Sequence, residues 1–116
     1  MINNVNLSGN VTRDAEKRGA ADKPYITFGL AVTEYKGGGE KAPMFFSCIM
    51  FGKRAASVAE FIQKGTKICV SGQLGSDNYT DKSGIEHTGF SIKVNDLELM
   101  QRRQEMEDGG QSSRRW

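Results

Sequence analysis

The sequence predicts an all-β domain, a five-stranded Greek-key barrel with one α-helix between the third and fourth strands. Five stretches alternate apolar with polar or small residues, one stretch has helical spacing, and turn-forming residues separate the extended stretches. The length of 116 residues allows one domain with a modest core. These patterns alone do not distinguish this barrel from another small β-barrel with one helix.

The first two strands are predicted over residues 3–11 and 26–35. In the first strand, Gly9 interrupts a run of alternating apolar residues, which indicates a bend or the close approach of another backbone. A charged connection is expected over residues 13–19. Residues 36–42 include three consecutive glycines and predict a flexible loop, because glycine loses the most conformational entropy when it is ordered.

The third strand is predicted over residues 44–51 and contains three of the six Phe residues. Alternation assigns its side chains to two faces, one with Phe45, Ser47, Ile49 and Phe51 and the other with Met44, Phe46, Cys48 and Met50. Both faces therefore carry large apolar groups. One face can supply the core, and the other is available to a second subunit or to flat ligands such as nucleobases.

The remaining elements follow the same reasoning. A helix is expected over residues 53–64, with Gly65 as its left-handed cap. Two extended stretches, residues 68–79 and 86–94, flank the turn formers at 81–84 and predict a projecting β-hairpin, and a last run at 96–100 adds to the core. The predicted domain spans residues 1–100, and the polar residues 101–116 are expected to form a disordered tail.

Composition excludes several classes of protein and site. No apolar run approaches the ~20 residues of a membrane span, and the N-terminus lacks a secretory signal, so we expect a cytoplasmic protein. Cys48 and Cys69 lie in separate apolar runs and are expected to be reduced. One His and no paired Cys leave too few ligands for a metal, and no phosphate-binding glycine motif is present, so we expect neither metal nor cofactor.

Charge is nearly balanced along the domain. Up to residue 99 there are 12 Lys or Arg against 11 Asp or Glu, and 4 against 3 beyond it. A nearly neutral body does not bind polyanions in general. Any affinity for nucleic acid must therefore come from the local placement of cations and from stacking.

The chain resembles the bacterial single-stranded DNA-binding protein family in four segments, VNLSGNVTRDAE, ITFGLAVTE, FFSCIMFGKRAASVAEFIQKG and VSGQLGSDNYTDKSG. The most specific signals are a strand ending in Phe-Gly-Lys, a helix ending in Lys-Gly, and a Gly-Gln-Leu strand that leads to an aromatic-Thr-Asp-x-Ser-Gly hairpin. The resemblance covers about residues 2–100. It implies an oligonucleotide-binding (OB) barrel, sequence-nonspecific binding of single-stranded DNA in the nucleoid, and assembly, most often as a homotetramer, with a dimer as the alternative.

The resemblance also implies particular site residues. Bases are expected to stack on four aromatic residues, Tyr35, Phe45, Phe51 and Tyr79. From the pattern alone, Phe45 and Phe51 fit the core or a subunit interface equally well. Cations near strand ends, in loops or beside the helix are candidates for phosphate contacts, with Lys53 and Lys36 ranked first, followed by Arg54, Lys64, Arg13 and Lys82.

Subunit contacts are expected from Asn4 and Asn6 on the first strand and from Phe46 on the third. Exposed polarity at a sheet edge is the alternative for the two Asn residues, and core burial is the alternative for Phe46.

Two departures from the family pattern affect the expected partners. Asp77 and Asn78 precede Tyr79 where relatives often carry basic residues, so electrostatic attraction should be weaker there. The tail ends Arg114-Arg115-Trp116 where cellular members carry an acidic tip, so we do not expect recruitment of repair proteins through this end. The chain is then either truncated or similar to phage and mobile-element members, and Trp116 is either unstructured or an added stacking contact.

Three functional hypotheses remain at this point. The first is single-stranded DNA binding without catalysis. The second is a barrel of the primosome accessory type that acts through protein contacts. The third, a nuclease, is disfavoured because the carboxylates of Asp14, Glu16, Asp77 and Asp81 lie in separate predicted loops with no metal-binding spacing.

Overall fold

The structure is a computed structural model that describes residues 1–100. It contains five strands and two short helical segments: β1 (Val5–Ala20), β2 (Lys23–Gly37), β3 (Glu40–Phe51), α1 (Lys53–Val58), a 3₁₀ turn (Ala59–Phe61), β4 (Lys67–Thr80) and β5 (Glu86–Leu99). The predicted tail at 101–116, including Arg114, Arg115 and Trp116, lies outside the described residues. None of the helices within residues 1–100 is long and apolar enough to cross a membrane.

The strands close into a barrel in the order β1-β2-β3-β5-β4. The first half of β1 pairs with β4 and its second half pairs with β2, so one long strand joins the two sides of the barrel. Strand β3 pairs with β5 in parallel, while the other pairings between the described strands are antiparallel. The predicted five-stranded barrel with one helix between the third and fourth strands is confirmed.

The prediction of a charged connection at residues 13–19 is wrong, because β1 continues as a strand to Ala20. Its polar side chains are exposed, but its backbone pairs with β2, with register shifts on both sides of Arg13. The polar composition of this stretch reflects side chains exposed to solvent on a strand that continues through it. The close approach predicted at Gly9 is confirmed, since a Cβ there would lie 2.2 Å from the carbonyl oxygen of Ala31.

The predicted glycine loop is shorter than expected. Strand β2 runs to Gly37 and β3 begins at Glu40, so only residues 38 and 39 lie between the two strands. Gly37, Gly38 and Gly39 all have positive φ angles, of 87°, 58° and 82°. Glycine tolerates this backbone region without a steric penalty, which explains why a tight turn needs the glycine run.

The predicted helix at 53–64 is also too long. Helix α1 ends at Val58, and a 3₁₀ turn to Phe61 follows it. The backbone of Ile62 then leaves the helical region, with φ −96° and ψ 86°, while its side chain is fully buried. Gly65 has the predicted left-handed φ of 91°, but it lies beyond the helix and donates its N–H to the carbonyl oxygen of Val11 over 2.8 Å.

The core fills the barrel from all five strands and the helical segments. Its buried members are Val11, Ile26, Phe28, Leu30, Phe46, Cys48, Met50, Ala55, Ala59, Ile62, Ile68, Val70, Ile92, Val94 and Leu97. Cys48 is buried and Cys69 half-buried, and both thiols are free, as the sequence predicted. Burial raises the pKa of the Cys48 thiol to about 12, although nearby Arg13 opposes this shift, so the thiol stays protonated near neutral pH.

Candidate nucleic-acid interface

The two faces of β3 separate as the alternation predicted. Phe46, Cys48 and Met50 point into the core, where each is at most 7% exposed. On the outer face, Phe45 and Phe51 keep 65% and 52% of their surface exposed. Exposed rings of this size do little for the core, so the outer face is available to a ligand.

The outer face of β3 borders an open space between two hairpins. The parallel pairing of β3 with β5 begins at Phe46 and Phe90 and continues to Met50 and Val94. Before that point each strand belongs to its own hairpin, β2–β3 or β4–β5. The space between them, here called the hairpin cleft, measures about 510 Å³. Its lining residues are Thr12, Arg13, Gly29, Met44, Phe45, Phe46, Ser47, Asp77, Tyr79, Thr88, Gly89 and Phe90.

The hairpin cleft brings two of the predicted aromatic residues together. Phe45 lines it from the β2–β3 hairpin, and Tyr79, which is 56% exposed, lines it from the β4–β5 hairpin. Arg13 lines the same cleft from β1 and supplies a cation between the two hairpins. Side chains of β1 lie over Gly29, where a Cβ would come within 2.1 Å of the Thr12 hydroxyl and 3.3 Å of the Arg13 Nε.

Phe51 belongs to a second cluster on the outer face. Its ring lies opposite Tyr25 on β2, with 5.4 Å between ring centroids and a tilt of 42°. The Lys93 ammonium lies 5.8 Å from the Phe51 ring centroid, within the range of a cation–π contact. Sequence reasoning identified Phe51 but missed Lys93, because only the parallel pairing brings β5 beside β3 and sets Lys93 next to Ile49.

Tyr79 is supported from within its own hairpin. Its ring stacks on His87, its cross-strand neighbour, with 5.0 Å between centroids and an interplanar angle of 16°. The His87 Nε2 lies 2.7 Å from Asp81 Oδ2, and Asp81 Oδ1 accepts N–H bonds from Ser83 and Ile85 at 2.9 and 3.0 Å. The bond from His87, followed by those from the turn backbone, holds the pKa of Asp81 below its usual value. Asp81 therefore stays ionised as an acceptor for both the turn and His87.

Tyr35 lies apart from the other three aromatic residues. It is 79% exposed near the end of β2, beside a separate groove bordered by β1 and β2 that Asn6 and Lys67 also line. The four predicted aromatic residues are thus all exposed. However, only Phe45 and Tyr79 line the hairpin cleft.

The predicted cations differ in their surroundings. Arg54 pairs with the Asp96 carboxylate, and this bond, together with one from the Leu97 N–H, keeps the pKa of Asp96 below its usual value. Arg54 also donates to the carbonyl oxygen of Leu97 over 3.1 Å. The Lys36 Nζ lies 4.0 Å from the Glu34 Oε1. The remaining predicted lysines are exposed and lie outside the lining of the hairpin cleft, namely Lys53, Lys64 and Lys82.

The residues predicted to contact another subunit fall into two groups. Phe46 is 7% exposed and its ring lies 6.4 Å from that of Phe90, so the structure favours core burial for this residue. Asn4 and Asn6 are exposed at the start of β1. Their neighbour Asn3 exchanges two hydrogen bonds with the backbone of Leu74, at 2.8 and 3.0 Å, and so extends the pairing of the first strand with β4.

The model of the single-strand binding protein family matches residues 2–100. The chain belongs to this family. Among relatives with the same family name, the single-stranded DNA-binding protein 1 of Lactococcus lactis is 38% identical over 87 residues, covering 72% of this chain and 58% of the relative. The protein of that name from Streptococcus agalactiae strain NEM316 is 31% identical over 116 residues, covering 97% of this chain and 71% of the relative.

One solved structure of a single-strand binding protein supports the fold. The small single-stranded DNA-binding protein from Streptomyces coelicolor superimposes with a TM-score of 0.72 at 22% identity, over 85% of this chain and 95% of that one. Within the part of the chain that the structure describes, no three His, Cys, Asp or Glu residues cluster closely enough to hold a metal ion.

Proposed function

We propose that this chain binds single-stranded DNA without sequence preference and protects unpaired strands in replication, recombination and repair, with no catalytic step. The main support is that exposed rings from two hairpins, Phe45 and Tyr79, flank one open cleft beside the cation of Arg13. Stacking on an aromatic ring contributes about 1–3 kcal/mol per base and tolerates any base. A platform of this kind suits a binder that does not read sequence.

Small residues on the outer face separate the rings of Phe45 and Phe51. Ser47, Ser91 and Gly75 form a row of small residues that crosses three strands in register, and at its β2 end the side chains of Thr12 and Arg13 lie over Gly29. Phe45 and Phe51 lie on either side of this row, six residues apart on β3 and therefore about 20 Å apart along the strand. Each ring would then contact a different base of one bound strand.

Cations on the same face would contact the phosphates. Arg13 in the hairpin cleft and Lys93 beside Phe51 are the best placed, and Lys36, Lys53, Lys64 and Lys82 are retained as peripheral contacts. Arg54 is not among the proposed phosphate contacts, because its guanidinium is already paired with Asp96. Asp77 also lines the hairpin cleft, so the net attraction there should be modest.

We further infer that the chain assembles as a homotetramer, or alternatively as a dimer, in the cytoplasm with the nucleoid. Asn4 and Asn6 on the exposed start of β1 are the proposed interface residues, and the buried ring of Phe46 is left to the core. Light scattering should give about four times, or in the alternative twice, the chain mass of 12.8 kDa. A monomer at micromolar concentration would contradict the assembly.

Replacing Phe45 or Tyr79 should weaken binding of fluorescent oligo(dT), because each replacement removes one stacked base. We expect Phe45→Leu and Tyr79→Leu each to raise the Kd by about 5- to 150-fold, equivalent to the loss of 1–3 kcal/mol. Fluorescence anisotropy titration measures the effect.

The matched control for this experiment is Phe45→Trp, which keeps a flat ring and should retain tight binding. Circular dichroism would check that every variant is folded. Wild-type protein that binds duplex DNA as tightly as oligo(dT) would contradict the proposed function. Leu variants that bind like the wild type would show that these two rings are not the platform.

Lys93 and Arg54 provide a matched comparison of phosphate contacts. Lys93→Ala should make the slope of log K against log salt shallower by about 0.7, because one phosphate contact is lost on a single strand. Arg54→Ala should change this slope much less, since its guanidinium is engaged by Asp96 and Leu97. Anisotropy titrations at several salt concentrations measure both slopes. Equal decreases in slope in the two variants would contradict the proposal that Lys93, and not Arg54, contacts a phosphate.

A further inference from the structure

The hairpin that carries Tyr79 contains a continuous chain of contacts from its turn to the exposed ring. The turn amides of Ser83 and Ile85 hold one oxygen of Asp81, and the other oxygen of Asp81 lies 2.7 Å from His87 Nε2. The His87 ring lies nearly parallel to the Tyr79 ring, with 5.0 Å between the ring centroids and an interplanar angle of 16°. The orientation of the Tyr79 ring is therefore tied to His87 and, through it, to the turn.

We propose that His87 is a positioning residue for the Tyr79 stacking surface, and that the charge on its imidazole adjusts how strongly this hairpin holds a nucleic-acid strand. The inference rests on the proposed function and adds a dependence on pH. A base stacked on the outer face of Tyr79 would complete a three-layer stack of base, tyrosine and histidine. The inner layer would be fixed by Asp81.

The chemistry of the pair sets the direction of the effect. An ionised carboxylate only accepts hydrogen bonds, so His87 donates from Nε2 to Asp81 whether the imidazole is neutral or charged. Protonation changes the charge of the pair from −1 to zero and places a cation against one face of Tyr79. The loss of one net negative charge favours a bound polyanion, so binding should strengthen as the pH falls from 8 to 6, the range in which an imidazole ordinarily changes charge.

Other charged groups lie near the pair. Glu86 lies beside His87 on β5, Asp77 lies on β4, and Lys82 lies in the turn. Across the hairpin cleft, β1 contributes Arg13, while the β3 residues that line the cleft carry no charge. The chain contains one His, but α-amino groups also ordinarily change charge near this range, so a variant without the imidazole is needed to trace a change in binding to His87.

The test compares the affinity for fluorescent (dT)15 at pH 6.0 and pH 8.0 at constant ionic strength, because thymine does not titrate in this range. The wild type should bind about two- to fivefold more tightly at pH 6.0, the effect of one exposed charge contact with the bound strand. His87→Phe keeps a ring under Tyr79 but carries no proton, and it should bind with the same affinity at both pH values. His87→Ala should lose the pH effect as well and bind more weakly than His87→Phe, because Tyr79 loses its support.

The outcomes separate this inference from the function on which it rests. A wild type that binds (dT)15 equally at both pH values, or a pH effect that persists in His87→Phe, would overturn the role of His87 alone. A wild type that binds (dT)15 at neither pH would overturn the proposed function, and the role of His87 with it. Thermal unfolding of each variant at both pH values would confirm that the compared proteins are folded.

Discussion

The parallel pairing of β3 with β5 determines both the closure of the barrel and the position of the hairpin cleft. It closes the barrel, because it joins the β1–β2–β3 side to the β4–β5 hairpin. It also begins only at Phe46 and Phe90, so the preceding parts of both strands diverge and leave the hairpin cleft between them. The same five residue pairs that close the core therefore create the space in which Phe45 and Tyr79 can act together.

The side chains of β3 show how one strand serves both the core and a ligand surface. Its inward residues, including Phe46 and Met50, are buried, and desolvation of these apolar groups contributes to the stability of the barrel. The outward rings of Phe45 and Phe51 lose that stabilisation because they remain in water. Their exposure is explained if they are desolvated when bases stack on them.

Much of this arrangement was predictable from alternation. Period-2 spacing assigned Phe45 and Phe46 to opposite faces, and Gly9 indicated a close backbone approach, because both signals are local. The extent of β1 and the length of the helix were not predictable in this way. The backbone pairing of β1 with β2 overrides the loop-like composition of residues 13–19, and where the helical geometry has ended, the carbonyl oxygen of Ile62 accepts an N–H from Ala15 of β1.

The site was predicted less completely than the fold for the same reason. The aromatic residues follow from motif and exposure, but Lys93, the engagement of Arg54 by Asp96 and the stack of Tyr79 on His87 depend on contacts across strands. Register between distant strands is not visible in a single sequence, since it depends on barrel closure. The sequence therefore indicated which residues could bind a strand but not which of them share one surface.

We expect a bound single strand to lie in the hairpin cleft against Phe45 and Tyr79. Ultraviolet cross-linking of the protein to saturating oligo(dT), followed by mass spectrometry of the digested protein, tests this placement. We expect thymine adducts on the peptides that contain Phe45 and Tyr79, and we expect competing unlabelled oligo(dT) to reduce them. Adducts confined to other parts of the chain would contradict this placement of the strand.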